Sequence, residues 1–597
     1  MPVDINTLDY GLLVPEFIVL ALIFIAWTLD LLLPRHRKQV IGWVTIAGLL
    51  VAIAATLPLW GLRTTFAGVL RIDEFAVFFK LLFLATAIGI TLISMEYADR
   101  FLPQPGEYYG LVLTGTLGMI LMAASNELLT AYISLELLSF SSYVLVSYAK
   151  NNLKSNEAGM KYIILGAFSS ALLLYGISLL YGVVGTTYLP DLARAVSTMA
   201  TVPPGFLAAL ALITAGLGFK VAAVPFHMWT PDVYEGAPTP ITAYLSVASK
   251  AAGFALVMRI LVGGLLPLQD QYQAVFALLA ALTMTLGNLV AIQQRNIKRL
   301  LAYSSIGQAG YVLVGIAAFA PNLDVAEQAA RAIMLHLAGY VFTNLAAFGA
   351  VIAFQNLANG RELIADMAGL ARRAPFVALA MMAALFSSAG MPLFAGFVTK
   401  FYLFAAAARA ELLWLVALAV INSTISLYYY LLVVYELYVR APPGFEVVGG
   451  DGHAAAAPAT GLAPAPALAM AAPAAVAAGA QAAAHGSTPP HPAGTAANGH
   501  AAGHVAMSPD GHAPHAGHAG HAGHGAHGAP PDGPAIPWWK RSITAEMPPE
   551  QFYPPYRIPW VTHLSLALFL AGILFIGLYP TPIMSALVAA SRALFAG

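Results

Sequence analysis

The sequence predicts an all-α protein that crosses a lipid bilayer many times. Hydrophobic residues make up 59% of the 597 residues and charged residues only 9%, whereas a soluble domain carries about 25% charged residues. Apolar runs long enough to cross a bilayer, roughly 20 residues, recur along nearly the whole chain. A membrane β-barrel would instead show short segments of alternating hydrophobicity, so the helical class is favoured.

Fourteen membrane-spanning helices are predicted from these apolar runs. Several runs are longer than a bilayer requires, which predicts that some helices are tilted or broken. The predicted spans are 11–33, 39–60, 75–95, 109–124, 127–149, 160–183, 204–226, 239–265, 272–292, 300–319, 328–356, 374–406, 410–438 and 559–588.

Basic residues sort between the loops that join these spans. The odd-numbered loops hold most of the Lys and Arg outside the spans, and the even-numbered loops hold Arg63, Arg71, Arg194, Arg331 and Arg409. Because basic residues favour the cytoplasmic side, both termini are expected on the outer, periplasmic side. The alanine-rich composition is typical of a bacterium with GC-rich DNA, which predicts the bacterial plasma membrane.

Composition also excludes several function classes. The chain has no cysteine, and iron–sulfur clusters are normally held by cysteine thiolates. Gly216 and Gly218 form a GxG, but Val221 stands where a third glycine would complete a dinucleotide-binding motif. The net charge is zero, which argues against nucleic acid as a partner. The sequence therefore predicts no bound cofactor and no metal in this chain.

The segment 441–537 has a different composition, rich in Ala, Gly, Pro and His, and includes HAPHAGHAGHAGHGAHG. Such a composition cannot bury a packed core, so a disordered cytoplasmic linker between spans 13 and 14 is predicted. Metal binding is the alternative. In an extended chain, a histidine at every third position lies about 9 Å from the next. That is too far for two of them to share a Zn²⁺ ion with bonds near 2 Å unless the linker collapses around it.

Ionisable residues interrupt the predicted spans, and each costs roughly 2.5–3.5 kcal/mol at a helix centre. Several of them on successive helices favour a proton or ion path over isolated structural ion pairs. Lys80 and Arg259 are the exceptions, because they are more easily explained as groups that reach the interface or hold helices together. The proposed path residues are Glu136, Lys220, Lys250 and Lys400.

Two of these lysines lie beside helix-breaking residues. Lys220 precedes Pro225, and Lys400 follows Pro392. A proline leaves the carbonyl four residues earlier without its helical partner, which frees the carbonyls of Val221 and Ser388. Broken helices at matching places in two halves are typical of transporters built from inverted repeats.

Lysine differs from arginine in that a buried lysine can lose its proton. At an effective dielectric constant of 20, a carboxylate attracts an ammonium by about 1.7 kcal/mol at 10 Å and by about 4 kcal/mol at 4 Å. A movement of Glu136 against Lys220 is therefore expected to load or unload a proton.

Four stretches resemble the antiporter-like subunits of respiratory complex I, the proton-pumping NADH:quinone oxidoreductase. They are SNEAGMKYIILGAFSSALLLYGISLLYG at 155–182, PFHMWTPDVYEGAPTP at 225–240, NIKRLLAYSSIGQAGY at 296–311 and LFSSAGMPLFAGFVTKFYLF at 385–404. The order PDVYEGAPTP is most similar to the subunit N group, which is homologous to mitochondrial subunit 2. Lys400 fits N or L, and the lack of a long lateral helix after span 14 disfavours L.

The resemblance implies two inverted five-helix repeats, spans 4–8 and 9–13, with helices 7 and 12 broken. The implied division is three N-terminal helices at 1–108, repeats at 109–265 and 272–438, the linker at 441–537 and a C-terminal helix at 538–597.

The resemblance also implies roles for single residues. Glu136 would pair with Lys220, Lys250 would connect the halves, and Lys400 would end the path. His336, Gln308 and His227 are candidates for the central polar axis. For His336 a packed core histidine remains the alternative, and Gln308 departs from subunit N relatives that carry a histidine there.

The expected function is a proton-translocating membrane subunit of complex I. Its expected partners are subunit M-like and K-like neighbours and the lipid bilayer, with FMN and iron–sulfur clusters in other subunits. The alternatives are a subunit of a multi-subunit Na⁺/H⁺ antiporter and a stand-alone solute carrier. Copurification with flavin and iron–sulfur subunits would separate the first from the other two.

Overall fold

The computed structural model describes residues 9–102, 104–199, 201–319, 322–441 and 558–596. Short 3₁₀ turns lie at Tyr10–Leu13, Arg35–Arg37, Leu57–Leu59, Leu266–Leu268 and Ile364–Met367, and two strands, β1 (Thr64–Phe66) and β2 (Leu70–Ile72), form an antiparallel hairpin. The α-helices are α1 (Val14–Leu32), α2 (Gln39–Thr56), α3 (Glu74–Phe101), α4 (Pro105–Ala124), α5 (Leu128–Val146), α6 (Leu153–Val184), α7 (Leu189–Ser197), α8 (Pro204–Val221), α9 (Trp229–Gly236), α10 (Thr239–Tyr244), α11 (Lys250–Gly264), α12 (Gln269–Ala291), α13 (Ile297–Ala317), α14 (Leu323–Leu357), α15 (Leu370–Arg373), α16 (Pro375–Ala389), α17 (Ala395–Arg409), α18 (Leu413–Tyr438), α19 (Trp560–Leu578) and α20 (Thr581–Phe595).

The protein is a multi-pass helical membrane protein, as predicted. Thirteen helical segments of the described residues are long and apolar enough to cross a bilayer. One of them, Thr239–Gly264, joins α10 and α11 through a π-helical turn at Leu245–Ser249. The remaining predicted span, 374–406, is divided between the shorter apolar helices α16 and α17.

The predicted breaks in helices 7 and 12 are confirmed. Helix α8 ends at Val221, four residues before Pro225, and Ala222 takes a left-handed conformation with φ of +61°. Helix α16 ends at Ala389, and Gly390 takes φ of +88°. In both places a left-handed residue ends the first half-helix, and the chain resumes as α9 or α17 after a short connector.

The predicted last span, 559–588, has the wrong C-terminal boundary, because the helix ends earlier than predicted. Helix α19 stops at Leu578, and a separate helix, α20, follows. Pro580 explains the stop, because a residue before proline is displaced from the helical region and proline cannot donate the next hydrogen bond. Helix α20 packs against α14 and α3 through an apolar face that includes Leu587 and Leu594.

Helices α11, α13 and α14 are almost entirely buried, whereas α1, α6, α18 and α19 lie at the periphery.

Odd-numbered loops contact one another, and so do even-numbered loops, as expected when successive helices cross a bilayer in alternating directions. Even-numbered loops meet through backbone bridges between Leu70 and Ser125 and between Glu127 and Tyr188, and odd-numbered loops meet through a bridge between Asn296 and Leu363. The predicted linker at 441–537 lies outside the described residues after Ala441, so its disorder and metal binding stay predictions.

Candidate functional site

Glu136 and Lys220 lie on neighbouring helices but do not bind each other directly. The Glu136 carboxylate on α5 accepts a hydrogen bond from the Ser170 hydroxyl on α6. The ammonium of Lys220, near the end of α8, donates to the Ser139 hydroxyl at 3.1 Å. Because Ser139 is three residues after Glu136, both contacts lie on one face of α5. In this structure the two members of the predicted pair therefore each contact a serine.

A small cavity lies beside Ser170, the partner of Glu136, and Lys220. Its walls include Ser139, Ser169, Ser170, Gly216 and Lys220, and it has room for about one water molecule. A water molecule there would find hydroxyl donors and acceptors and the lysine ammonium as partners. The cavity therefore offers a short polar route between the partner of Glu136 and the ammonium of Lys220.

The broken helix explains why a cation is tolerated at position 220. Lys220 lies in the last turn of α8, where the partial negative charge of the helix end favours a cation. The terminal carbonyls are also capped: Gly218 O accepts from Ala223 N at 2.8 Å, and Phe219 O accepts from Trp229 Nε1 at 2.9 Å. The same break therefore positions Lys220 and satisfies the backbone around it.

Lys250 connects α11 to α13. It directly follows the π-helical turn, a distortion that is frequent at functional sites. Its ammonium donates to the Ser305 carbonyl at 2.8 Å and also contacts the Ser305 hydroxyl. A Cβ placed on Gly253, one turn later, would lie 3.4 Å from Cγ of Lys220. The first two lysines of the predicted path therefore lie on closely packed helices.

Lys400 binds the end of the half-helix that precedes its own. Its ammonium donates to the carbonyls of Ser388 at 2.8 Å and Ala389 at 3.3 Å, and to the Ser423 hydroxyl at 3.0 Å. It also lies 4.5 Å from the centre of the Tyr311 ring, a distance typical of a cation–π contact. Like Lys220, it lies at the negative end of a broken helix.

Two of the three predicted axis residues lie beside Lys400. The Gln308 amide donates to Ser388 O at 2.9 Å, the same carbonyl that Lys400 binds. His336 Nδ1 lies 3.0 Å from the hydroxyl of Thr399, the residue before Lys400. His227 lies in the connector between α8 and α9, and its Nδ1 has no hydrogen-bond partner among the described residues. The structure therefore brings Gln308 and His336 to Lys400 but does not bring His227 to it.

A charged cluster joins two of the motifs on the side of the odd-numbered loops. Asp232 binds Lys161 and Arg299, both at 2.8 Å, and Glu235 binds Arg299 at 3.1 Å. Burial alone would raise the pKa of Asp232, but the bonds from Lys161 and Arg299 hold it below its usual range. The acidic residues of PDVYEG thus tie α9 to α6 and α13.

A family model described as "NADH:quinone oxidoreductase/Mrp antiporter, TM" matches residues 125–426. NADH-quinone oxidoreductase subunit N of Moorella thermoacetica is 46% identical over 72% of this chain and 89% of its own length. The chain belongs to the subunit N family. The resemblance stated from the motifs is thereby confirmed.

Solved structures agree with this membership. Respiratory complex I from Thermus thermophilus contains a chain 33% identical to this one, with a TM-score of 0.59 over 71% of this chain and 90% of that chain. The Mrp complex from Dietzia sp. contains a chain that matches over 98% of both chains with a TM-score of 0.71. At 20% identity, the Mrp likeness establishes the shared fold alone.

The serine partners of Glu136, Lys220 and Lys250 were not predicted from the sequence of this subunit N family member. Ser139, Ser170 and Ser305 have no distinguishing pattern, because serine in a membrane helix often only donates to the carbonyl one turn earlier. Ser139 does donate to Leu135 O at 2.7 Å. It still has a lone pair that accepts from Lys220, and only the fold, which brings the end of α8 close to α5, reveals this second contact.

Proposed function

We propose that this chain is a proton-translocating membrane subunit of an NADH-quinone oxidoreductase. In this proposal, electron transfer from NADH to quinone in partner subunits drives protons along Glu136, Lys220, Lys250 and Lys400. FMN and iron–sulfur clusters belong to those partners, and this chain contributes no redox centre. Subunit N membership supports the assignment to the complex, and the contacts of the buried lysines support the path.

The observation that carries the proposal is a contrast among the buried cations. Lys80 binds Glu16 at 2.5 Å, and Arg259 binds Asp73 at 2.7 Å. Breaking such a buried pair costs about 3–5 kcal/mol, because a charge is left without compensation. These two cations therefore have the carboxylate partners expected of groups that hold helices together.

The path lysines are equally buried but lack such partners. Lys220, Lys250 and Lys400 are 3%, 2% and 3% exposed. In the part of the chain that the structure describes, no ion pair shorter than 4.0 Å includes any of the three. Each instead donates to hydroxyl or carbonyl oxygens. Such oxygens accept from a charged ammonium and also from a neutral amine, as a proton carrier requires.

Movement of Glu136 is the proposed trigger. When the carboxylate leaves Ser170 and approaches Lys220, the attraction grows toward the roughly 4 kcal/mol of a close pair. The ammonium then holds its proton, and withdrawal of the carboxylate releases it toward Lys250 on the adjoining helix. Lys400 exchanges the proton at the far end, in the second repeat.

The proposal also covers the neighbouring subunits, the membrane and the orientation of the chain. Subunit M-like and K-like chains are proposed as membrane neighbours, and the bacterial plasma membrane as the location, with both termini outside. The sorting of basic residues into the odd-numbered loops supports that orientation. The pairing of spans 4–8 with spans 9–13 as inverted repeats is supported by the matched breaks after Val221 and Ala389.

A Na⁺/H⁺ antiporter subunit remains the second candidate, since the Mrp chain shares the fold. Purification of the native particle separates the two. The proposal expects flavin and iron–sulfur subunits in stoichiometric amounts, and their absence from an intact particle that exchanges Na⁺ for H⁺ would favour the antiporter.

The path is tested with Glu136→Gln and Lys220→Ala in membrane vesicles from cells that carry the whole complex. We expect both variants to insert and assemble normally, and to lose most proton uptake driven by NADH oxidation. Lys154→Ala is the matched control, because Lys154 has an exposed side chain and binds Glu235 in the charged cluster. Wild-type pumping by both path variants at equal complex content would show that Glu136 and Lys220 are structural.

A further inference from the structure

Asp232 joins three helices on the side of the odd-numbered loops. It lies in the first turn of α9. One of its carboxylate oxygens accepts from Lys161 on α6 and the other accepts from Arg299 on α13, both at 2.8 Å. Arg299 also donates to Glu235, later on α9, at 3.1 Å. The carboxylate of Asp232 therefore links α6 to α13 and fixes α9 between them.

A second set of contacts joins α9 to the end of α8, where Lys220 lies. The Trp229 indole at the start of α9 donates to the Phe219 carbonyl at 2.9 Å, and Phe219 directly precedes Lys220. The same indole stacks on the Tyr162 ring of α6, with ring centres 4.7 Å apart and planes at 16°. Tyr162 directly follows Lys161. Helix α6 therefore holds the start of α9 and, through it, the last turn of α8.

The helices linked in this way also carry the partners of two residues on the proposed path. Helix α6 carries Ser170, which donates to Glu136, and α13 carries Ser305, which accepts from Lys250. Arg299 and Ser305 are six positions apart on α13, about 9 Å along the helix axis at 1.5 Å per residue. A displacement of α6 or α13 against α9 would therefore change the contacts of the path residues.

We propose that Asp232 is a positioning residue that holds α6, α9 and α13 in the arrangement required for proton transfer from Lys220 to Lys250. This inference rests on the proposed function. Asp232 carries no proton in this step, and its carboxylate acts by binding Lys161 and Arg299. Without the carboxylate, α6 and α13 move independently of each other. NADH oxidation then continues in the partner subunits while fewer protons reach Lys250.

A solvated surface network is the competing explanation for these contacts. The Asp232 and Arg299 side chains are 35% and 32% exposed, and exposed ion pairs contribute little to stability. A network that only stabilised the surface would change the amount of assembled complex. It would leave the number of protons taken up per NADH oxidised unchanged in the complex that does assemble. The two explanations therefore differ in that ratio.

The test measures proton uptake per NADH oxidised in sealed membrane vesicles that contain the whole complex, at equal complex content. We expect Asp232→Asn to lower this ratio about twofold or more, the range in which single residues along a coupling network act. Asp232→Glu should recover part of the loss, because it restores a carboxylate that can bind both basic residues. Wild-type pumping by Asp232→Asn would overturn the proposal.

Glu157→Gln is the matched control. Glu157 also binds Lys161, at 2.9 Å, but both residues lie on α6, so this pair joins no second helix. The ratio for Glu157→Gln should stay at its wild-type value. Equal losses in Glu157→Gln and Asp232→Asn would show that the charge around Lys161 matters rather than the link between helices, and would overturn the positioning role.

Arg299→Gln tests the link from the α13 side, and it carries the test by itself if Asp232→Asn assembles poorly. We expect a similar fall in the ratio. The double variant of Asp232→Asn and Arg299→Gln should pump about as well as Asp232→Asn alone, because the bond between the two residues is already lost. Losses that add in the double variant would show that the two residues act independently, and would overturn the link.

Lys220→Ala is measured alongside. If Lys220→Ala loses pumping while Asp232→Asn pumps normally, the positioning role is wrong and the proposed function stands. If Lys220→Ala pumps normally, the proposed function itself is wrong.

Discussion

Replacing Asp73 with asparagine is expected to destabilise the contact between the first three helices and α11. Asp73 and Arg259 are 0% and 1% exposed, and the guanidinium makes two bonds to the carboxylate, at 2.7 and 2.9 Å. Arg71 binds the same carboxylate at 2.9 Å. The asparagine would leave the Arg259 guanidinium without a counter-ion and remove one of the two that act on Arg71, at a cost of about 3–5 kcal/mol.

Asp73→Asn should not weaken the N-terminal cap of α3, so the expected loss of stability comes from the broken ion pairs alone. Asp73 Oδ1 also accepts from Ala76 N at 2.8 Å at the start of α3, and asparagine caps a helix about as well as aspartate. Burial would raise the pKa of Asp73, but the Arg259 and Arg71 charges hold it below its usual range. A carboxylate whose folded-state pKa is lowered contributes its stability above the unfolded value of about 3.9 and loses it as pH falls through the folded value. At neutral pH the full contribution is therefore present.

The assay is the temperature at which this chain leaves the detergent-solubilised complex. We expect Asp73→Asn to lower that temperature markedly. The control is Arg63→Gln, because the Arg63–Glu74 pair is half-exposed on the arginine side and such pairs contribute about 0–1 kcal/mol. The double replacement Asp73→Ser and Arg259→Met should recover part of the loss, since it removes the Arg259 charge and keeps a cap, while Arg71 still loses its partner. Equal temperatures for Asp73→Asn and Arg63→Gln would show that the Asp73–Arg259 pair does not stabilise this contact.

Two further predictions concern the second broken helix. Lys400→Arg should impair pumping more than Lys400→His, because arginine cannot release its proton whereas histidine titrates near neutral pH; wild-type pumping with arginine would make Lys400 a fixed charge. Gly396→Ala should separate α16 from α17, because its Cβ would lie 1.7 Å from the Ser387 carbonyl oxygen, and overpacking of this kind costs about 1–3 kcal/mol. Gly182→Ala, whose Cβ would meet nothing within 4 Å, is the control in the same thermal assay, and equal effects of the two glycine variants would contradict this packing.

The crossings and the two breaks were predictable because their causes are local. Bilayer thickness sets the length of each apolar run, and a proline acts on the carbonyl four residues earlier. The Ser388 carbonyl is an example: it was predicted to be left free by Pro392, and in the structure both Lys400 and Gln308 bind it. The same local reasoning applied to Pro580 would have placed the end of α19 at Leu578.

The partners of the buried charges were not predictable because they depend on packing between distant segments. Asp73 and Arg259 are 186 positions apart, and nothing in either neighbourhood identifies the other. Glu136 and Lys220 each bind a serine, and neither serine could be identified from the sequence.

Lys250 is the position at which proton transport by a lysine without a carboxylate partner can be measured with least ambiguity. Methionine fills a similar volume without a titratable group, so Lys250→Met should assemble at wild-type levels. The measurement is the number of protons taken up per NADH oxidised in sealed membrane vesicles. We expect a ratio well below that of wild type, with Lys154→Met unchanged. A wild-type ratio for Lys250→Met at equal complex content would contradict it.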